Sequence, residues 1–553
     1  MTPSPAPASA PRTGALLGTS DKAAGRRKRF RIAAIMSSLN LSLFVVAMNQ
    51  TLLASATPTI TSDFDSAGGY VWIGGANLLA TAASGPLWAK ASDIWGRKSI
   101  IMLALLGFSA GTIVCALSVN MQMLIAGRVL QGVAGAGVMG QMTIVISDIF
   151  SMRERALFIA TFEVVWAIAA ALGPTLGGVF TEKLSWRYCF WLSLPFCGIA
   201  TVILFVFLDV HNPRTSMRDG LKAVDWLGSL TLVGMVLMVL LGLDFGGVIF
   251  PWESPKVVCL IVFGVVFAMF FYFSEKRWAQ YPVIPLAIFE SMSNLASFLV
   301  CFFQGFVYMG AEYFLPLYFQ AVKGMSPLRA GTLLVPSTVS EATAGIVASI
   351  FIHRTGRYLD LVWVGTILMT VGTGLYIQLG VDSSIAAIVG FQIIAGLGCG
   401  CLFTPPVIAL QANVSQENTA TASAAMGLSR NIATAMSVVI AGVVFQNGMT
   451  LRANDLESAG LAPALINQLA GDDAAANVLK VGNIADLLQQ RAVRQAYSWS
   501  IRNLWIMFTC AAFLAVIASA FVKTHVLSHD HTETKTGIQK KGIGKEEPLE
   551  APV

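Results

Sequence analysis

Apolar residues along this chain gather into fourteen long runs, near residues 33–58, 70–89, 99–118, 120–147, 156–180, 187–208, 226–248, 256–274, 293–319, 326–351, 360–379, 384–408, 419–446 and 501–522. Short segments rich in charge, glycine and proline part them. A run of about 20 apolar residues, coiled as an α-helix, crosses a hydrocarbon core of roughly 30 Å. Lipid offers no partner to an open backbone group, so a helix is the form such a run must take. The pattern predicts an all-α membrane protein with 14 transmembrane helices. Residues 448–500 break the rhythm. They are polar and Ala/Leu-rich, too charged to insert, and are expected to form short amphipathic helices outside the bilayer.

Composition agrees. Of 553 residues, 55% are hydrophobic and 12% charged, and the mean hydropathy is +0.69. A soluble surface would need about twice that charge. The net charge of +6 is no nucleic-acid footprint, because its bases sit between the runs and in the tails, where membrane orientation accounts for them. All eight cysteines fall in apolar runs, and Cys399 and Cys401 lack a second ligand pair, so no metal is expected. Residues 1–32 start Pro/Ala/Ser-rich and end in the basic "GRRKRF", with no apolar signal core or cleavage site. They read as a disordered tail, as does the Lys/Glu/Gly-rich segment 524–553.

With the N-terminus in the cytosol, 24 of the 36 Lys and Arg residues fall on cytosolic segments and 10 on the opposite side. That bias places both termini inside. A weak repeat is also present: "SDIWGRKSI" follows the second run and "IHRTGRYLD" the tenth. If runs one to six and nine to fourteen are matching sixes, each turn joins the second and third helix of its six. The chain then divides into a half at 33–208, a linker at 209–292 carrying two extra helices, and a half at 293–523 that includes the loop 448–500. Two such halves would enclose a central cavity.

Three motifs carry chemistry. In "SDIWGRK", Gly96 turns the corner, Asp93 follows one helix end, and Arg97 and Lys98 open the next. The bases either anchor the turn at the membrane surface or, with Asp93, clamp helix ends together in one state. In "LIAGRVLQGVAGAG", Arg128 lies about eight residues, or roughly 12 Å, below the outer surface. Burying it costs about 2.5 kcal/mol or more, so it either faces a cavity and meets a partner or snorkels to the headgroups. Gly132, Gly135 and Gly137 after it permit close helix contact. In "ALGPTLGGVF", Pro174 removes one backbone hydrogen bond and bends the helix, while Gly173, Gly177 and Gly178 let a neighbour pack against the bend. An ordinary kink with small-residue packing is the plainer account.

Together these residues resemble the major facilitator superfamily, and within it the fourteen-span drug:proton antiporter branch common in fungi. The resemblance covers roughly residues 30–523. Asp93-Ile-Trp-Gly-Arg-Lys is similar to the family's loop signature, and Arg128 with its glycines to the fourth-span signature linked to proton handling. Gly173-Pro174-x-x-Gly177-Gly178 is similar to the fifth-span signature that marks antiporters rather than importers, which implies a gasket holding the outer end of the first half closed. "SWRYCFWLSLP", "LPLYFQAVKGMSP" and "LSRNIATAMS" resemble the fungal branch. Three positions depart from the family. Ala89 stands where the loop signature has Gly, Ser193 where the fungal pattern has Asn, and Asn49 where the first span usually has Asp.

An amide at 49 can hydrogen-bond a guanidinium but cannot carry a proton. The remaining intramembrane acids, Glu163, Glu312 and Glu341, are therefore the candidates for coupling, with Glu163 first because the fold implies that span five lines the cavity. The alternative is a neutral, hydrogen-bonded carboxyl that only positions a helix or substrate. Asp148, Asp225 and Asp244 are expected at the interface.

No nucleotide-binding loop, metal-spaced His pair or nucleophile elbow is present, so no enzyme activity and no cofactor are expected. The reading is a secondary transporter, monomeric and in the plasma membrane or a vacuolar or vesicle membrane. It exports an amphipathic drug, toxin or secondary metabolite in exchange for protons. A cavity of Phe, Met and Trp with one or two acids suits large apolar or cationic molecules. The alternatives are an importer or facilitator of the same fold, for a nutrient or siderophore, and a non-transporting membrane sensor.

Overall fold

The computed structural model describes residues 14–66, 69–247, 250–469, 481–482 and 484–527. Among them the secondary structure is helical, apart from one isolated bridge between Gly246 and Phe250. The architecture rests on α1 (Gly14–Asp63), α2 (Gly69–Trp95), α3 (Arg97–Ala116), α4 (Met121–Ile149), α5 (Met152–Lys183), α6 (Tyr188–Phe207) and α7 (Trp226–Phe245). It continues with α8 (Pro255–Phe273), α9 (Met292–Ala321), α10 (Val335–Thr355), α11 (Leu359–Tyr376), α12 (Ile385–Asn413), α13 (Thr419–Leu451) and α14 (Leu487–Ser519). Among the described residues, thirteen helices are long and apolar enough to cross a membrane. The fourteenth, α2, has 27 residues but carries Asn77, Lys90 and Asp93. It packs on α3, α4, α7 and α13, so protein rather than lipid covers much of it.

The packing repeats itself eight helices on. α1 packs on α5 and α6, α2 on α4, and α3 on α4 and α6; likewise α9 packs on α13 and α14, α10 on α12, and α11 on α12 and α14. Across the halves α5 meets α10 and α13 meets α2, the same contact with the halves exchanged. α7 and α8 form a hairpin laid on α2 and α13.

Both ends of the described chain lie on one face, here the tail face. Arg31 donates to the carbonyls of Phe207 and Asp209 beyond α6, and the Tyr358 hydroxyl donates to the Lys523 carbonyl beyond α14. The opposite, far face carries two short helices, Ala453–Ser458 and Pro463–Leu469.

Several boundaries differ from expectation. α1 starts at Gly14, inside the segment expected to be a disordered tail; Ala, Lys and Arg are good helix formers and no proline interrupts them. α14 starts at Leu487 rather than near 501, because Val493, Ala496 and Tyr497 bury an apolar face ahead of the membrane run. α12 is interrupted between Gly400 and Pro405. Residues 1–13, 470–480 and 528–553, which include most of both expected tails and part of the far-face loop, lie outside the described residues.

Candidate functional site

α4 begins where the Asn120 side chain caps the Met123 N–H at 2.8 Å. Two turns on, Arg128 is buried, and its guanidinium meets three acceptors. Nη1 donates to Asn49 Oδ1 on α1 at 2.5 Å and to Gln131 Oε1 at 2.8 Å, and Nε donates to the Ile73 carbonyl on α2 at 2.9 Å. Gln131 in turn donates to Thr112 Oγ1 on α3 at 2.8 Å. The sequence asked for a partner to this arginine, and the structure supplies three acceptors, all neutral. α4 comes this close because Gly132 and Gly137 have no side chain: a Cβ there would lie 2.4 Å from the Asn77 carbonyl oxygen and 2.7 Å from Trp88. Gly135 is in ordinary contact with Val46.

On the tail face, Gly96 adopts φ +89 between α2 and α3, which turns the chain so that Arg97 points back into the bundle. Arg97 is 2% exposed and sits between two carboxylates, Asp93 and Asp148, with Nε donating to Asp148 Oδ2 at 2.8 Å. It also donates to Ser92 Oγ at 2.6 Å. Asp148, at the tail-side end of α4, is also the second arm of the clamp, 51 residues away in sequence. Lys98 stands over the Phe205 ring at 5.2 Å. The matching turn in the other half is built differently, for Arg357 and Asp360 form an exposed pair. Asp225 caps α7, accepting from the Gly228 N–H, and Asp244 ends the same helix, as expected of span ends.

α5 stays helical through Pro174. Its glycines form a seam with α1: a Cβ on Gly173 would lie 2.0 Å from Thr51 Oγ1, and one on Gly177 would lie 2.4 Å from the Leu52 carbonyl oxygen. The Thr51 hydroxyl lies 3.0 Å from the Ala169 carbonyl across the same seam. Gly178, expected to share this packing, has nothing within 4 Å. It lies off the contact face.

The three acids come together from α5, α9 and α10. Glu341 is 8% exposed, and Glu163 and Glu312 are half-buried. Tyr308 lies within electrostatic reach of all three, and Glu341 within reach of the other two. Glu163 packs toward Gly345, one turn beyond Glu341. Arg430 on α13, not singled out from sequence, is within reach of Glu163 and Glu341 without forming an ion pair to either. Beside Arg430 a cavity of about 300 Å³ opens between the halves, lined by α2, α4 and α13.

A second residue that the sequence did not single out is Arg155. It opens α5, where the Glu154 carboxylate accepts from the Ser151 N–H. Arg155 donates to the Phe150 and Ser147 carbonyls of its own half and to Gln411 and Gln416 of the other. Arg153 donates to the Leu527 carbonyl at 2.9 Å. These bonds tie the halves together on the tail face. Their only sequence signal is a basic residue at a helix start.

The family model described as Major Facilitator Superfamily matches residues 39–438. The chain is 40% identical over 524 residues to the MFS-type transporter ppz2 of Metarhizium majus, covering 95% of this chain and 90% of that one. It is 41% identical over 508 residues to the efflux pump dotC of Dothistroma septosporum, covering 92% and 87%. Among solved structures it is similar in fold to the proton:xylose symporter XylE, with TM-score 0.55 at 14% identity, covering 90% of this chain and 96% of that one. It is likewise similar to the human organic anion transporter MFSD10, with TM-score 0.54 at 17% identity, covering 87% and 99%.

Proposed function

The chain belongs to the major facilitator superfamily, and from that premise we propose that it exports an amphipathic organic compound in exchange for protons. The compound is a drug, toxin or secondary metabolite, and relatives named efflux pumps support the outward direction. The observation that carries proton exchange is the group Glu163, Glu312 and Glu341 around Tyr308, none of them ion-paired. A carboxyl shielded from water and not locked in an ion pair can take up a proton on one side and release it on the other. Arg128 cannot serve this purpose with Asn49, since neither changes charge in the working range.

The halves rock about the cavity. Contacts of Arg155 with Gln411 and Gln416 hold the tail face shut in this state and must part when it opens. The clamp of Asp93, Arg97 and Asp148, backed by Gly96 and Lys98, keeps the tail-side ends of α2, α3 and α4 together as they move. The α5 seam at Gly173 and Gly177, next to Pro174, keeps the far half of α1 and α5 rigid. The tail face is cytosolic, and the protein works as a monomer in the plasma membrane.

The test is substrate uptake into sealed inside-out vesicles under an imposed pH gradient, for wild type and for Glu163→Gln, Glu312→Gln and Glu341→Gln. Loss of gradient-driven uptake in one variant, with binding retained, identifies the carrier; Glu163 is the first expectation. If the wild type ignores the gradient, the protein is a facilitator of the same fold, the reading that Asn49 favours.

A further inference from the structure

Of the arginines Arg97, Arg128, Arg155 and Arg430, the first three each hold several close acceptors. Arg97 has two carboxylates, Arg128 three neutral acceptors, and Arg155 two carbonyls and two glutamines. Arg430 is the exception. Its Nε is buried with no partner, and Nη2 reaches only the Phe403 carbonyl, at 3.5 Å. The guanidinium is nonetheless held in place. It lies over the Phe403 ring at 5.1 Å, and Tyr308 meets that ring edge-on at 5.6 Å.

What Arg430 faces is the cavity between the halves. The walls there are mostly small and apolar, with Gly85 of α2, Ala136 and Met139 of α4, and Met426 of α13, and Thr81, Thr143, Ser423 and Asn431 add neutral polar groups. No carboxylate lines this part of the cavity. A held cation with unspent donors in a mostly apolar slot edged by neutral polar groups is a site for an oxygen acceptor on a flat, greasy ligand.

We propose that Arg430 is the substrate-recognition residue of this transporter and that its substrates carry an oxygen acceptor, a carbonyl, phenolate or carboxylate, on an aromatic or polycyclic body. The inference rests on the export reading but not on its direction or coupling. Of the large apolar or cationic molecules expected from the sequence, it keeps the apolar body and exchanges the cation for an oxygen acceptor. Small walls on α2 and α4 admit the ring system, and the guanidinium orients it by one or two hydrogen bonds. The acids Glu163, Glu312 and Glu341 stand on the α5, α9 and α10 side, with Glu163 and Glu341 within electrostatic reach of the same guanidinium, while the ligand occupies the α2, α4 and α13 side.

The test is equilibrium binding to the purified full chain in detergent, followed by quenching of tryptophan fluorescence, with three probes sharing one ring. They are 2-naphthoate, 2-acetonaphthone and 2-naphthyltrimethylammonium. Wild type is expected to prefer the first two. Arg430→Gln should weaken them at least tenfold and leave the ammonium probe unchanged or tighter. Arg430→Lys should recover much of the naphthoate binding and less of the ketone's, since an ammonium keeps the charge that attracts an anion but loses the planar fork that orients a neutral carbonyl. Naphthoate alone responding assigns anions; both responding assigns acceptors in general. Equal melting temperatures for wild type and variants guard against misfolding. Preference of wild type for the ammonium probe, no binding of either acceptor probe, or Arg430→Gln binding all three like wild type overturns the proposal. A transporter that fails the pH-gradient test can still pass this one.

Discussion

The Arg128 guanidinium on α4 donates to the amide oxygen of Asn49 on α1, and the amide nitrogen of Asn49 is buried with no acceptor. A buried charge is thus met by a neutral group that leaves its own donor unspent. Asn49→Asp removes that orphan donor and gives Arg128 an ionic partner. The expected outcome is a stabilisation of about 1 kcal/mol or more at neutral pH, read as a higher melting temperature in detergent. A lower one would show that the amide is the better fit.

The tail-face clamp makes an ordered prediction. Arg97→Gln strands Asp93 and Asp148 against each other, at a cost of about 3–5 kcal/mol. Asp148→Asn leaves Arg97 its bond to Asp93 and should cost less. Adding Asp148→Asn to Arg97→Gln should recover part of the loss, since one unpaired carboxylate disappears. Additive losses across this cycle, measured by thermal unfolding, would mean that the three groups do not act together.

The α1–α5 seam separates two neighbouring glycines. Gly177→Leu forces a side chain into the Leu52 backbone, and is expected to cut both folded yield and efflux severely. Gly178→Leu meets open space and should leave yield and efflux near wild type. If Gly178→Leu is the more damaging, the seam is not what the fifth-helix motif serves.

Orientation can be read with a protease. In sealed, right-side-out cells, cleavage is expected within 448–500 and at neither tail. Cutting of either tail under those conditions inverts the proposed topology.

Much of this was legible in advance, and the failures share a cause. Hydrophobic runs located the helices because lipid imposes one length and one backbone form. Arg128 announced a partner because its burial is costly, and Gly96 announced a turn. The pairing of Asp148 was not read because it depends on Arg97 from a helix start 51 residues earlier. Arg430 was passed over because nothing local separates an arginine that pairs from one that does not. Gly178 was a smaller error, open to correction from sequence: Gly173 and Gly177 are one turn apart on the same face, and the next residue lies about 100° round. The start of α14 was hidden by its polar first turns, whose buried face appears only against the other helices of its half.

The glycine seam has a consequence for position 49. Thr51 and Leu52, which close against Gly173 and Gly177, lie within one turn of Asn49 on the same helix. The height and roll of α1 at the arginine are therefore set by α5, a helix that does not touch Arg128 through any of its hydrogen bonds. Fifth-helix glycines and first-helix amide form a single gauge, in which one part fixes the reading of the other. Substitutions at 177 and at 49 should therefore be strongly epistatic, and a chimera that exchanges α5 with a relative would need to import α1 as well.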